Sequence, residues 1–342
     1  MKPLKFGIIG CSRIAIKSVI PAILKSEYAE LEMIGSRDIS NAKNISKQFR
    51  CKKFGNYEDV LNDSNVNAVY ISTPIGTHEK WTTLAASKGK HIYCEKSSTF
   101  SLISAKKMIE SAKKNNVRLI EGFMFRFHSQ HKIVKEMINQ NKIGDLKFFQ
   151  SNFGFPSFPL TDIRFTDKIG GGFLNDSGCY PISACRMIFE KEPTSVFFSK
   201  ISDSQNIDVM GVSTLVFPDN KIGVCSYGND AYYQSKYEIW GTNGLISLDR
   251  AFSVPSNFSP SINLHYDLEK TWEGRKIDSF SVPSEDHFKN LIDNFSITIQ
   301  KNSSKMNFEE ELLKQALVME ALRLSSKKNS MIFLDEFENL NT

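Results

Sequence analysis

Ten residues near the start of the chain, Phe6-Gly7-Ile8-Ile9-Gly10-Cys11-Ser12-Arg13-Ile14-Ala15, have the types and order needed to grip a dinucleotide. A pyrophosphate requires a tight turn after a strand, close approach by the backbone, and N–H groups presented at a helix N-terminus. Set against the pattern G-x-G-x-x-G/A, Gly10 takes the first glycine position, Ser12 replaces the second and Ala15 satisfies the third. Ser12 is small and its hydroxyl can itself donate to a phosphate, so the replacement departs from the pattern more than from the physics. Gly10, Cys11, Ser12, Arg13 and Ile14 are the expected pyrophosphate contacts. A second group of residues chooses between the nicotinamide dinucleotides. At the end of the second strand an acid binds the adenosine ribose 2′-OH, whereas arginine accommodates a 2′-phosphate. Here Leu31-Glu32-Met33-Ile34-Gly35 leads into Ser36-Arg37-Asp38, with neutral Ser36 where the acid would stand. Ser36 and Arg37 form a phosphate clamp that favours NADP(H). If the strand runs one turn further, Asp38 becomes the ribose ligand and NAD(H) fits instead.

These residues need a sheet to hold them. The first third of the chain alternates short apolar runs with amphipathic stretches, the mark of βα units. The runs are Lys5–Ile9, Leu31–Gly35, Ala68–Ser72, His91–Cys94 and Arg118–Glu121; Ser40–Phe49 and Leu102–Asn115 lie between them with one polar face each. Five strands joined by crossovers make a doubly wound parallel sheet. Beyond Gly122 the texture changes to one helix-like stretch, His128–Gln140, and then longer strand-like runs without regular helices between them. These include Leu146–Phe155, Val196–Ile201, Val209–Phe217, Ile222–Tyr227 and Leu245–Leu248, with turns such as Pro218-Asp219-Asn220. Near the end, Phe308–Ser326 reads as an amphipathic helix. The fold class expected is thus α/β plus α+β. Residues 1–122 make an N-terminal Rossmann domain, and residues 123–342 a substrate-binding and oligomerisation domain on a mostly antiparallel open sheet.

The bulk properties exclude several other functions. At 342 residues, two domains are the natural division. Forty-three basic and 38 acidic residues are intermixed, giving a net charge of +5 without a long run of one sign. No basic stripe interleaved with stacking aromatics points to nucleic acid. The N-terminal apolar run is too short for a signal segment, and no run approaches a membrane span, so a cytoplasmic protein is expected. Six scattered cysteines without a C-x-x-C pair read as free thiols. His128 and His131 stand three apart, but no Cys or carboxylate cluster joins them at ligand spacing, and no metal is expected.

Three further segments carry a family resemblance. They are Ser72-Thr73-Pro74-Ile75-Gly76-Thr77-His78, Tyr93-Cys94-Glu95-Lys96, and Gly170-Gly171-Gly172-Phe173-Leu174-Asn175-Asp176-Ser177-Gly178-Cys179-Tyr180. The first resembles the T-P-x-x-x-H loop, the second the E-K-P signature, and the third the G-G-G-x-L-x-D-x-G pattern of the Gfo/Idh/MocA oxidoreductases. Phe123–His128 and Tyr237–Gly244 are similar to family segments as well, so the likeness spans nearly the whole chain. Tyrosine at 180 resembles the branch with glucose-fructose oxidoreductase, dimeric dihydrodiol dehydrogenase and the NDP-sugar 3-ketoreductases. One departure stands out: Ser97 replaces the proline of E-K-P, removing a fixed φ that would help aim Lys96.

The resemblance implies an NAD(P)-dependent oxidoreductase. Thr73, Pro74 and His78 then flank the nicotinamide half, with Glu95 and Lys96 beside them. Lys96 and Tyr180 become the catalytic pair, because a phenol with an ordinary pKa near 10 is a poor base and a neighbouring ammonium favours its ionised form. Asp176 is an expected substrate or lysine contact, one turn before Tyr180 if the helix has begun there; Pro181 disfavours α geometry at Tyr180. Arg164 is a candidate for an anionic group on the substrate. The substrate implied is a sugar or sugar-like carbonyl or alcohol, foremost an NDP-keto-sugar. The alternatives are a dehydrogenase of a free sugar, polyol or trans-dihydrodiol, and a non-catalytic NADP-binding regulator to which Ser97 is the single pointer. A homo-oligomer through the C-terminal sheet is the expected assembly.

Overall fold

The computed structural model describes residues 2–267, 273–302 and 306–339. Its contacts fall into two units. The first comprises Met1–Met124, Lys168–Gly170 and Phe288–Ala316; the second comprises Phe125–Asp167, Gly171–His287 and Leu317–Thr342.

The first unit is built on a parallel sheet of six strands: β1 (Leu4–Ile9), β2 (Ala29–Gly35), β3 (Lys53–Gly55), β4 (Ala68–Ile71), β5 (His91–Cys94) and β6 (Leu119–Glu121). Their order is β3-β2-β1-β4-β5-β6. A central parallel strand is covered on both faces and so is apolar throughout. All four residues of β4, Ala-Val-Tyr-Ile, are buried, as are Phe6, Ile8 and Ile9 on β1. Each such aliphatic side chain contributes about 1.5–3 kcal/mol on burial. The helices in order are α1 (Ile20–Lys25), α2 (Ile39–Gln48), α3 (Tyr57–Asn62), α4 (His78–Ser87) and α5 (Leu102–Lys114). Local chemistry starts three of them. Asp38 caps α2, Asn56 and Asp59 form a capping box on α3, and Ser101 accepts from the Ser104 amide at α5.

The expectation of five strands is corrected to six. The addition, β3, is a three-residue edge strand in which only Gly55 is buried, so it has no apolar run to betray it.

The second unit holds a nine-stranded sheet. Its strands are β7 (Leu146–Phe155), β8 (Ser195–Ser202), β9 (Asp208–Phe217), β10 (Lys221–Asn229), β11 (Gln234–Gly241), β12 (Gly244–Leu248), β13 (Ser261–Asp267), β14 (Arg275–Ser281) and β15 (Ile332–Phe333). They lie in the order β14-β13-β12-β11-β7-β10-β9-β8-β15 and pair antiparallel, except that β7 and β10 run parallel. Alternation gives the sheet one covered and one open face. Phe149, Phe153, Leu215, Cys225, Tyr227, Tyr237 and Ile239 are buried, whereas Met210, Val212, Ile222 and Trp240 are exposed.

Helices α6 (Ser129–Asn139) and α7 (Cys179–Phe189) belong to this unit, and α7 packs on β7 and β10. The expectation that no regular helix lies among the strand-like runs is corrected by α7. All eleven of its residues are buried. A helix apolar around its circumference shows no 3.6-residue periodicity, which is the signal a sequence offers.

Three helices close the chain: α8 (His287–Gln300), α9 (Phe308–Lys328) and α10 (Leu334–Asn339). Within the first unit, Glu309 on α9 accepts from the Leu119 amide at 2.8 Å and pairs with Arg118 Nε at 3.0 Å, so it covers the edge of β6. No helix among the described residues is long and apolar enough to cross a membrane.

Candidate active site

In the first unit the predicted cofactor residues follow the carboxyl ends of four neighbouring strands, β2, β1, β4 and β5. The strand order reverses direction between β1 and β4, which is where open α/β sheets bind ligands.

Gly10 leaves β1 at φ +107°, a conformation side chains avoid; a Cβ there would lie 3.1 Å from the Ser72 carbonyl carbon. Ser72 Oγ donates to Gly10 O at 2.9 Å, which seals the turn against the end of β4. Ser12 then acts as a cap: its Oγ accepts from the Ala15 amide and its carbonyl from the Ile16 amide, both at 3.1 Å. The amides of Arg13 and Ile14 are thus first-turn donors at a helix start. A small-residue cradle followed by such donors fits a pyrophosphate. The helix continues through a π-helical turn, Ala15–Val19, into α1, where Pro21 lacks the N–H that a regular turn would use. Cys11 Sγ lies 3.7 Å from Gly35 O, and burial pushes its thiol pKa up, so it stays a neutral thiol.

Strand β2 ends at Gly35, and Ser36 follows it with only 7% exposure. Ser36 Oγ accepts from the Asp38 amide at 3.3 Å. Asp38 accepts from both the amide (2.8 Å) and the hydroxyl (2.7 Å) of Ser40, which hold its carboxyl below the usual range. Its carboxylate is thereby engaged at the start of α2, while Arg37 beside it is exposed.

Past β4, His78 is buried and its two ring nitrogens face backbone carbonyls, Nε2 to Thr73 O at 2.7 Å and Nδ1 to Ser98 O at 3.1 Å. Burial lowers its pKa, so the ring is neutral and donates once. His78 therefore spans the Thr73-Pro74 loop and the segment after Lys96. Past β5, Glu95 Oε1 accepts from buried Tyr70 Oη at 2.8 Å, and Oε2 from the Lys96 amide at 3.1 Å. Ser98 donates from its amide and hydroxyl to Glu121, at 2.8 and 3.1 Å. Tyr70, Ser98 and Glu121 carried no signal in the sequence, since each matters only through a partner more than twenty positions away. The Lys96–Ser97 peptide is cis, and Lys96 itself is half-buried.

In the second unit Tyr180 is 6% exposed and lies in the first turn of α7. Its ring sits among Phe153, Phe125 and Phe252, with centroids 5.0, 5.7 and 5.9 Å away. The expectation that Pro181 keeps Tyr180 out of helical geometry is corrected. Gly178, the last residue of a π-helical turn at Leu174–Gly178, and Cys179 after it already have right-handed helical angles. The wider turn accommodates the donor that Pro181 lacks. Asp176 lies on that turn, where its Oδ2 accepts from Arg164 Nε at 2.6 Å; Arg164 also pairs with Asp162 at 2.9 Å and stacks on Phe158. The two expected substrate residues, Asp176 and Arg164, are thus joined to one another.

A family model described as "Oxidoreductase family, NAD-binding Rossmann fold" matches residues 4–123, and one for the GFO/IDH/MocA C-terminal domain matches residues 131–247. Among curated relatives, a dTDP-3,4-didehydro-2,6-dideoxy-alpha-D-glucose 3-reductase of Saccharopolyspora spinosa is 29% identical, covering 94% of this chain and 97% of that one. An uncharacterized oxidoreductase of Rhizobium meliloti is 32% identical over 74% and 76% of the two chains. A D-xylose 1-dehydrogenase (NADP(+)) of Haloferax volcanii is 28% identical over 96% and 99%. Of solved structures, a 3-ketoreductase from Actinomadura kijaniata in complex with NADP and TDP-benzene superposes with a TM-score of 0.89 at 27% identity, covering 95% and 98%. The same reductase with one tyrosine changed to phenylalanine, or one lysine to alanine, matches at 0.89 and 0.84; that lysine and tyrosine have the sequence separation of Lys96 and Tyr180. The chain belongs to the Gfo/Idh/MocA family of oxidoreductases, with an NAD-binding Rossmann domain at its N-terminus.

Proposed function

We propose that this chain is an NADPH-dependent reductase of a nucleotide-linked keto-sugar, in which Tyr180 delivers the proton to the substrate oxygen and Lys96 supplies the adjacent positive charge. The observation that carries this reading is the end-to-end likeness to dTDP-keto-sugar 3-reductases, together with a lysine and a tyrosine at the separation found in the solved 3-ketoreductase. When bound, the dinucleotide supplies the hydride that reaches the carbonyl carbon. Gly10, Cys11, Ser12, Arg13 and Ile14 hold its pyrophosphate. Ser36 and Arg37 hold the 2′-phosphate, a role favoured by the engagement of Asp38 with Ser40. Thr73, Pro74, His78 and Glu95 fix the loops around the nicotinamide, His78 and Glu95 through the bonds described above. Lys96 draws the phenol towards its ionised form and holds the reacting oxygen. Asp176 meets sugar hydroxyls, with Arg164 balancing its charge. The open face of the nine-stranded sheet, with Met210, Val212, Ile222 and Trp240 exposed, is where we place a homo-oligomer of a cytoplasmic enzyme.

The likeness to a D-xylose dehydrogenase favours a second reading, oxidation of a free sugar with NADP+. Initial rates separate the two. A dTDP-linked 3-keto-sugar with NADPH should turn over well above aldoses with NADP+, and NADPH well above NADH. Tyr180→Phe should cut turnover by roughly 10²–10⁴-fold, the contribution of a positioned acid, and leave the NADPH Kd unchanged within about twofold. Undiminished turnover in that variant removes Tyr180 as the acid.

A further inference from the structure

Sequence motifs bring Asp176 and Tyr180 to notice, but they do not explain what holds the turn that carries them. A helix start needs acceptors for its first amides. The residue before the π-helical turn, Phe173, has no side-chain oxygen to offer, and no side-chain cap is made from that position. The acceptor comes instead from the start of β9, where Asp208 Oδ2 takes the Leu174 amide at 2.5 Å. The same oxygen accepts from Tyr227 Oη on β10 at 2.6 Å, and Tyr227 is 3% exposed. Burial raises the Asp208 pKa, while its bonds to Tyr227 and Leu174 work in the opposite direction.

Two glycines of the G-G-G-F-L-N-D-S-G segment find their reason in this pair. Gly172 has φ +102°, and a Cβ there would lie 2.3 Å from Asp208 Oδ1. A Cβ on Gly178 would lie 2.6 Å from Tyr227 Cδ1. The carboxylate and the phenol ring therefore pack closely against the turn on both sides of Asp176. From α9, Arg323 Nη2 donates to Asn175 Oδ1 at 2.7 Å, a third attachment to the same turn.

We propose that Asp208 is a positioning residue for the reaction: it caps the turn at Leu174, Tyr227 orients its carboxylate, and together they set the place of Tyr180 on α7. The inference rests on the reading of Tyr180 as the acid. It requires no contact between Asp208 and substrate, because a shift of about 1 Å in a reacting group far from the altered residue can itself cost on the order of 10²-fold.

The test uses the full chain, with kcat, KM for the keto-sugar, NADPH Kd by fluorescence, and thermal melting read for each variant. Asp208→Ala should lower kcat by about 30–100-fold, with the NADPH Kd within about twofold of the parent because cofactor residues lie in the other unit. Asp208→Asn keeps an oxygen for the Leu174 amide and should recover kcat to within about fivefold. Tyr227→Phe removes one oxygen without changing volume and should cost about 3–10-fold in kcat; it carries the test if Asp208→Ala fails to fold. Undiminished kcat in Asp208→Ala, or in Tyr227→Phe where only that variant folds, overturns the proposal. So does an Asp208→Asn as poor as Asp208→Ala. Tyr180→Phe, measured alongside, separates the two levels. If it is inactive while Asp208→Ala is active, the positioning role fails and the acid stands; if Tyr180→Phe is active, the acid reading itself fails.

Discussion

Each unit starts a functional helix with a π-helical turn a few residues ahead of a proline, Ala15–Val19 before Pro21 and Leu174–Gly178 before Pro181, yet the two are secured in different ways. In the first, Ser12 caps Ala15 from three residues away. In the second, Asp208 caps Leu174 from the first residue of a strand 34 positions later. The cofactor helix therefore forms on instructions within its own turn. The helix bearing Tyr180 is instead held by residues of two strands, Asp208 on β9 and Tyr227 on β10. A local device tolerates change elsewhere in the fold; a remote one ties the position of Tyr180 to the integrity of a sheet.

The sharpest way to break this comparison is to add one methyl group to each turn. Gly172→Ala combines an unfavourable φ with a clash on Asp208 and should destabilise the second unit by about 3 kcal/mol, abolishing turnover while NADPH still binds. Gly10→Ala, at φ +107° and pressed on Ser72, should do the reverse and lose NADPH binding first. If both variants lose the same function, the division of labour is wrong.

Acid offers a second, somewhat smaller perturbation. Burial holds His131 and His287 of the second unit at pKa values of about 3, and His91 of the first unit at about 4. In the unfolded chain each titrates near 6.5. Between those limits the unfolded state binds more protons than the folded state, so stability falls as pH drops from about 6.5 towards 3. At pH 5, His131 and His287 should each account for on the order of 2 kcal/mol of lost stability relative to pH 7.5. His131→Gln, though less stable at pH 7.5 through loss of its bond to Tyr237, should show a smaller drop in Tm between the two pH values. An unchanged drop would exclude His131 as a source of the acid sensitivity.

The smallest expected effect concerns the local cap. Ser12→Ala should cost about 1 kcal/mol and raise the NADPH KM, with kcat near that of the parent at saturating cofactor. A fall in kcat as large as that of Asp208→Ala would erase the contrast between near and remote capping.

Much of the first unit was legible because its signals are short-range. Strands β1, β2, β4, β5 and β6 are apolar runs, Gly10 and Ser12 mark the turn, and Ser36-Arg37 lie directly beyond β2. What escaped was β3, too short and too exposed to leave a pattern. In the second unit β7 to β10 and β12 were visible as strand-like runs, whereas β11, β13 and β14 were not among them and α7, buried on every side, offered no amphipathic period. The motif residues Lys96, Asp176 and Tyr180 stood out by their order along the chain. Asp208 and Tyr227 did not, and although the motifs include His78 and Glu95, nothing in the sequence states which group any of the four will meet.

The sequence by itself determined the family, through ordered motifs that resemble it, and the βα rhythm of the N-terminal part, which is written in near-neighbour spacing. The tertiary structure alone decided that His78 spans two loops, that Arg164 pairs with Asp176, and that Asp208 caps the turn before Tyr180. Those outcomes depend on which buried polar groups meet across the fold, and a buried donor or acceptor left alone costs about 1–3 kcal/mol. That cost acts between residues far apart in the chain, where spacing along the sequence carries no record of it.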